Sequence, residues 1–278
     1  MQCLIDGDVL AYEVGFAAET AYKGSHPDGD GIPHWNTVED MLEKRIQYIE
    51  EQCEADEPSI MFFTGKENFR NAIAKRTPYK QRAGVKPTHW LGIRLYLQSS
   101  YHFRLMEGFE ADDLMSIEQT SRLYKRDTII CTRDKDHKQL FGWNYGWEIG
   151  KQASFGPFNV SGYGMLSLSE NRKKIEGYGP KFFLSQCLTG DVVDSVPGLP
   201  KCGPVAAFEC LSETSCYKDG LSAVISMYET VFRDRWKEEL TEQGQLLWLT
   251  RQLNSDGSPE LWSLEDDFTE KIERSCYL

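Results

Sequence analysis

No stretch of this chain approaches the roughly 18 consecutive apolar residues that a membrane-spanning helix needs. The opening MQCLIDGDVL has no basic n-region, and acids interrupt its apolar run at once. A soluble, cytoplasmic protein without a membrane partner is therefore expected. The eight cysteines (3, 53, 131, 187, 202, 210, 216 and 276) include no CxxC pair and no zinc spacing. Several sit in apolar runs, as in Ile130-Cys131, where a reduced thiol packs as a small hydrophobe. Repeats and low-complexity tracts are absent. Bases are in deficit: 31 Lys and Arg against 43 Asp and Glu give a net charge of −12. That excludes a generally basic nucleic-acid coat, though not a local basic patch.

What is present is an ordinary globular composition, 40% hydrophobic and 27% charged over 278 residues, enough for a large core without disulfides. Cys3-Leu4-Ile5 reads as a buried strand ending in an acidic loop, Asp6-Gly7-Asp8. Residues 59–64 and 128–132 read as further buried strands. Between them, Val38, Leu42, Ile46 and Ile49 recur at helical spacing over 37–53 with Thr37 as N-cap, and 110–124 reads as a second helix. Short apolar strands alternating with amphipathic helices indicate an α/β fold with a mostly parallel sheet covered on both faces. Residues 141–160 read as short strands or loops, and the chain from Lys181 as mainly helical. The tail from Ser255 carries seven acids and two bases, yet Leu261, Trp262, Leu264 and Phe268 suggest that part of it packs.

Acids stand where the strands end. Asp6 and Asp8 follow the first; Asp134 and Asp136 follow 128–132. A parallel sheet brings strand C-termini to one edge, so these four should converge. Glu110, Asp112 and Asp113 open a helix, and Asp191 and Asp194 share a face if their turn is helical. Taken singly, each acid could be only a cap or a solvated turn residue. As a set of nine around one pocket they would repel by several kcal/mol unless cations intervene. Oxygen ligands without histidine or cysteine favour Mg²⁺ or Mn²⁺, and two such ions suit phosphodiester hydrolysis.

Between residues 66 and 94 the charge inverts. Eight bases (Lys66, Arg70, Lys75, Arg76, Lys80, Arg82, Lys86, Arg94) face the single acid Glu67, leaving −19 on the rest of the chain. Such a segment suits a polyanion, and the interleaved Phe69, Tyr79, His89 and Trp90 could stack on unpaired bases; the alternative is a charged surface helix with core aromatics. Farther on, Ser195-Val-Pro-Gly-Leu-Pro-Lys-Cys-Gly-Pro is a glycine-punctuated turn between helical segments. Gly198 and Gly203 would let its amides approach a phosphate, with Lys201 adding charge.

Five segments taken together, LIDGD (4–8), FFTGKENFRNAIAKRTPYKQR (62–82), GFEADDLM (108–115), TRDKDHKQL (132–140) and LTGDVVDSVPGLPKCGPVAA (188–207), resemble the metal-dependent 5′ nucleases of flap-endonuclease type. They are most similar to the replication exonucleases of T-odd, podovirus-type phages. The resemblance implies a PIN-like three-layer fold with a basic helical arch at 66–94 within a catalytic domain over 1–180. It implies a helical DNA-anchoring region over 181–278 with a helix–three-turn–helix at about 186–211. By position, Asp6, Glu110, Asp112 and Asp113 look like ligands of a first metal or groups just behind them, and Asp134, Asp136, Asp191 and Asp194 like a second-metal group. Tyr79, Lys80 and Arg82 fall at the arch base, where Lys80 would help orient the scissile phosphate. Arg70, Lys75, Arg76, Lys86, Gly198, Lys201 and Gly203 are the expected DNA contacts, with K⁺ held at the helix–three-turn–helix. The family carries an aspartate just after its second strand; here Thr64-Gly65-Lys66 stands there, leaving Asp8, Glu67 or a water to fill the place.

The implied activity is 5′→3′ exonuclease or flap endonuclease action on DNA with a free 5′ end or flap, and on RNA–DNA hybrids. The implied setting is phage replication in an infected bacterial cytoplasm, by a monomer working with phage replication proteins. The competing readings are a PIN-type ribonuclease and a nucleic-acid-binding homologue with a weakened site.

Overall fold

The computed structural model describes residues 1–80 and 84–265; Arg82 and Phe268, singled out above, lie outside them. The elements in order are β1 (Gln2–Asp6), α1 (Gly7–Ser25), α2 (Trp35–Gln52), β2 (Glu57–Asn68), α3 (Arg70–Ile73), α4 (Trp90–Ser100), β3 (His102–Gly108), α5 (Ala111–Ser121), β4 (Thr128–Cys131), β5 (Gly142–Gly146), β6 (Phe155–Val160), β7 (Met165–Leu168), β8 (Ile175–Tyr178), α6 (Pro180–Thr189), α7 (Pro204–Leu211), α8 (Tyr217–Phe232) and α9 (Trp236–Leu247). Packing groups them into two compact units. The first holds Met1–Glu67, Gly84–Asp134 and Trp143–Phe158; the second holds residues 68–80, Lys135–Gly142 and residues 159–265.

The first unit is built on a six-stranded sheet in the order β3-β2-β1-β4-β5-β6. Its central pairs β1–β2, β1–β4 and β4–β5 are parallel, with Ile5 opposite both Met61 and Cys131. Because strand side chains alternate, Cys3, Ile5, Met61, Phe63, Ile129 and Cys131 share one face. There they pack with Leu10 and Val14 of α1, Val38, Leu42, Ile46 and Ile49 of α2, and Ile93 and Leu97 of α4. Leu4, Ile60, Phe62 and Ile130 turn to the other face and are equally buried, and α5 lies against β1, β3 and β4. The expected mostly parallel sheet between helical layers is what the chain forms.

Two boundaries differ from the sequence reading. The segment after β1 is no loop: α1 begins at Gly7, and the Asp6 carboxylate caps it by accepting from the Asp8 and Val9 amides. A Cβ on Gly7 would stand 2.4 Å from the Phe63 ring, so only glycine permits so abrupt a strand-to-helix turn. Helix α2 starts two residues before Thr37, which is not its cap; His34 occupies that position, and its carbonyl accepts from the Thr37 and Val38 amides.

In the second unit α6 is the central element. Every residue from Pro180 to Leu188 is buried, and α7, α8, α9 and the antiparallel β7–β8 ribbon surround it. Trp262 of the C-terminal segment is 1% exposed, stacks edge-on against Phe183 and donates its indole N–H to Tyr217; Leu264 packs on the same core.

Several bases of the 66–94 segment serve this interior. Arg70 is buried, its guanidinium donating to the carbonyls of Leu246 and Trp248. It is therefore not a DNA contact. Arg76 pairs with Glu239 at 3.3 Å and donates to the Gly198 carbonyl. Between α3 and Lys80 the chain is irregular, and the Lys75 and Arg76 amides are held by Glu242.

Arg70→Met would leave two buried carbonyls without donors, each worth about 1–3 kcal/mol. We expect this variant to lose roughly 3 kcal/mol of stability in urea unfolding, whereas Lys75→Met, on an exposed side chain, should lose almost none.

Candidate functional site

Asp6 ends the central strand, and its carboxylate is spoken for locally: one oxygen caps α1 and the other accepts from the Thr132 hydroxyl at 2.9 Å. Thr132 follows β4, and its oxygen also receives the Asp134 amide at 3.2 Å. A threonine thus ties the ends of β1 and β4 together, holding Asp6 and the Asp134 backbone in one network. Burial pushes Asp6 up to about 7, with Asp112 and then Asp8 adding to the rise as neighbouring negative charges. Burial raises Asp8 too, against the pull of Arg94 and the Thr64 amide.

Asp8, in the first turn of α1, pairs with the Arg94 guanidinium from α4 and accepts from the Thr64 amide at 2.8 Å. The Thr64 hydroxyl receives the Ala111 amide at 3.1 Å, and its carbonyl receives Arg94. The residue standing where an aspartate was looked for is therefore the joint between β2, α1 and α5, and Asp8 reaches it. Glu67 lies exposed beyond. Glu110 and Asp113 form a reciprocal capping box on α5, a structural use that presents Asp112, half-buried on the same turn, toward Asp6 and Asp8. Six of the nine acids thus belong to the first unit, and Asp6, Asp8 and Asp112 form its electrostatic centre.

The other three lie in the second unit. Lys135 bridges Asp136 at 3.0 Å and the buried Asp191. Burial works to lower the Lys135 ammonium, but the two carboxylates outweigh it and raise its pKa. Asp191 is pushed up by burial and drawn below its ordinary range by Lys135 and by the amides of Val193 and Asp194. Gln186 of α6 donates to Asp136. Asp194 accepts from the buried Tyr79 hydroxyl at 3.1 Å and pairs with Lys80 at 3.5 Å, while its carbonyl takes the Lys80 amide. Lys80 itself lies in the left-handed region at φ 45°.

The turn after α6 is built differently from the expected amide cradle. Gly198 has φ +66°, and a Cβ there would stand 2.3 Å from the Gly190 amide nitrogen. Its own N–H donates to Gln243 of α9 at 2.8 Å. Gly198 therefore secures close backbone packing and offers no amide to a phosphate. Lys201 and Gly203 are exposed just before α7, which Gly203 caps. Among the described residues Lys66, Lys75 and Lys86 form no ion pair, and the Lys86 ammonium lies 3.5 Å over the Trp90 ring.

Tested for a cation, the first unit fits. Asp6 is a buried carboxylate that ionises only with difficulty beside two others, and its neighbours are hard oxygen donors. Within this unit no three carboxylates among the described residues bring oxygens within 4.8 Å of one another, so the acids do not converge as the strand-end pattern predicts. In the second unit the Lys135 ammonium already occupies the cationic place between Asp136 and Asp191. The bonds made by Thr64, Thr132, Lys135 and Gln186 are not legible in the sequence; Thr64 is marked only by standing where an aspartate is expected, and Lys135 only by its position between two acids in TRDKD.

No protein-family model matches the chain. It is 25% identical over 243 residues to a 5′-3′ exonuclease of Buchnera aphidicola subsp. Schizaphis graminum, covering 83% of this chain and 76% of that protein. It is 33% identical over 112 residues to the DNA polymerase I of Rhizobium leguminosarum, 38% of this chain but only 10% of the polymerase. Among solved structures, the T5 5′-exonuclease with bound zinc superposes with a TM-score of 0.54 at 14% identity, covering 89% of this chain and 86% of that one. The phage T5 flap endonuclease in a pseudo-enzyme-product complex with DNA and metal ions gives 0.53 at 12% identity, covering 100% and 99%. The fold is that of these two structures.

A carboxyl group raised to about 7 when folded keeps its proton where the unfolded chain has lost it. Its contribution to stability therefore falls as pH climbs from about 4 to 7 and stays low above. A divalent cation should reverse that loss. We expect millimolar Mg²⁺ to raise the melting temperature more at pH 8 than at pH 5.5, and Asp6→Asn, which keeps the cap, to abolish the difference. A second expectation concerns Lys135→Gln. It should lift Asp191 toward its ordinary range and tighten Mn²⁺ binding several-fold by calorimetry, because the built-in ammonium no longer competes.

Proposed function

We infer that this chain, a member of the 5′ nuclease family, is a metal-dependent 5′→3′ exonuclease and flap endonuclease that hydrolyses DNA phosphodiester bonds. The observation that carries the reading is the Asp6–Asp8–Asp112 cluster at the C-terminal end of the central strand, where burial and neighbouring negative charge raise Asp6 to about 7 and lift Asp8 above its ordinary range. Similarity to a 5′-3′ exonuclease over 83% of the chain and the fold shared with the T5 enzyme support it.

Bound at this cluster, Mg²⁺ or Mn²⁺ would supply an activated water and neutralise charge building on the phosphate. Asp6 and Asp112 would hold the ion, with Asp8 steadied by Arg94 and Thr64. Thr132 keeps the Asp6 carboxylate in one orientation, and the Glu110–Asp113 capping box fixes the turn that carries Asp112. Two such ions, as in the family resemblance, belong to this reading.

Lys80, held by Asp194 above the Tyr79 ring, would donate to the scissile phosphate, with Arg82 beside it in sequence. Lys66, Lys75 and Lys86 are the bases of the arch segment left to contact a 5′ strand. Lys201 and Gly203, at the start of α7, would meet duplex phosphate, with K⁺ nearby. The functional division we adopt is a catalytic domain over 1–180 and a DNA-anchoring region over 181–278. RNA–DNA hybrids belong to the proposed substrates. A monomer acting beside phage replication proteins in an infected bacterial cytoplasm completes the reading; among the described residues no helix is long and apolar enough to cross a membrane.

A 5′-labelled DNA duplex incubated with Mg²⁺ or with EDTA provides the test. Cleavage should need the metal, and Asp112→Asn should slow it by at least 100-fold while binding persists. Full activity in EDTA or in Asp112→Asn would overturn the reading. Under single turnover Lys80→Ala should depress the rate more than the affinity. Lys86→Ala should instead weaken binding and lower its salt dependence by about one phosphate contact.

A further inference from the structure

Three cysteines far apart in sequence meet on the covered face of the sheet. Cys3 lies on β1, Cys131 on β4 two residues beyond Ile129, the register partner of Cys3, and Cys53 at the C-terminal cap of α2. Cys3 and Cys131 are fully buried and Cys53 is 5% exposed. The Cys53 and Cys131 sulfurs are 3.7 Å apart, and all three lie within 4.8 Å of one another. Three sulfurs bound about 2.3 Å from a tetrahedral zinc stand roughly 3.8 Å apart, so little movement separates this arrangement from a ligand set. The cluster is about 10 Å along β1 from Asp6 at the strand's rise per residue, and its soft donors differ from the carboxylates there.

We propose that Cys3, Cys53 and Cys131 bind one zinc ion as a structural three-thiolate site joining β1, β4 and the end of α2. On binding, three S–Zn bonds form and three thiol protons pass to solvent, leaving the site with one net negative charge. The metal is neither oxidised nor reduced. Thiolate donors select zinc over the magnesium that suits Asp6 and its neighbours. A disulfide between any two of the three would leave the third thiol unpaired in the core.

This proposal does not depend on the nuclease reading, and its test does not use activity. Elemental analysis of the purified full chain, after dialysis against EDTA-free buffer, should find about one zinc per chain. Replacing it with Co²⁺ should produce the intense near-ultraviolet thiolate-to-cobalt absorption, which carboxylate-bound cobalt lacks. Cys53→Ala, at the least buried position of the three, should lose both signals, and Cys210→Ala, outside the cluster, should keep both. Should Cys53→Ala fail to fold, the wild-type chain still decides, because the folded full chain loaded with one Co²⁺ must show the thiolate-to-cobalt band. Zinc-free protein that takes up Co²⁺ without the thiolate band would overturn the proposal. So would a band that survives in Cys53→Ala.

Discussion

The first unit is organised around the cost of ending a buried strand in a carboxylate. Asp6 cannot be ionised cheaply where it stands, and the surrounding chain supplies what it can: two amides from the first turn of α1 and the hydroxyl of Thr132. That demand fixes the abrupt β1-to-α1 turn, which in turn requires Gly7 against Phe63. It also ties β1 to β4 through one threonine. Asp8 and Asp112 then add charge rather than relieve it. The fold thus holds a place whose electrostatics improve when a cation arrives, and this is the physical link between the core and any chemistry on phosphate.

A second theme is how many charges are spent on holding the protein together. Of the bases concentrated in 66–94, Arg70 is buried under main-chain carbonyls, Arg76 is paired with Glu239, Lys80 is held by Asp194 and Arg94 by Asp8. Arginine suits such work, because its planar fork serves several acceptors at once. The three ion-pair-free lysines are exposed points of charge on flexible stems, better fitted to a mobile polyanion. Counting bases along the sequence therefore overstates the surface open to a nucleic acid.

The acids divide in the same way. Glu110 and Asp113 are a capping box, Asp191 nucleates its own turn and meets Lys135, and Asp194 clasps Tyr79 and Lys80. A cap and a metal ligand look identical in sequence, since both are carboxylates at the start of a helix. Asp112 is distinguished from its neighbours only by the direction in which the first turn of α5 presents it. Gly198 was misread for a related reason: glycine marks a close approach of backbone, but the sequence does not say to what. Here the approaching group is Gly190, and the amide goes to Gln243.

The sequence by itself determined the alternation of apolar strands and amphipathic helices, hence the parallel sheet, the position of single acids after strands and the order of motifs that resemble the 5′ nucleases. These follow from local periodicity and from residue types at fixed spacing, which a linear chain displays in full. Only the tertiary structure decided which groups share a partner. Thr64 became a joint, Lys135 took a cation's place between two acids, and Arg70 went into the core. The cysteines are the plainest case. Positions 3, 53 and 131 show no metal spacing, because the spacing that matters is set by parallel strand register and by where α2 ends, and neither distance is written along the chain.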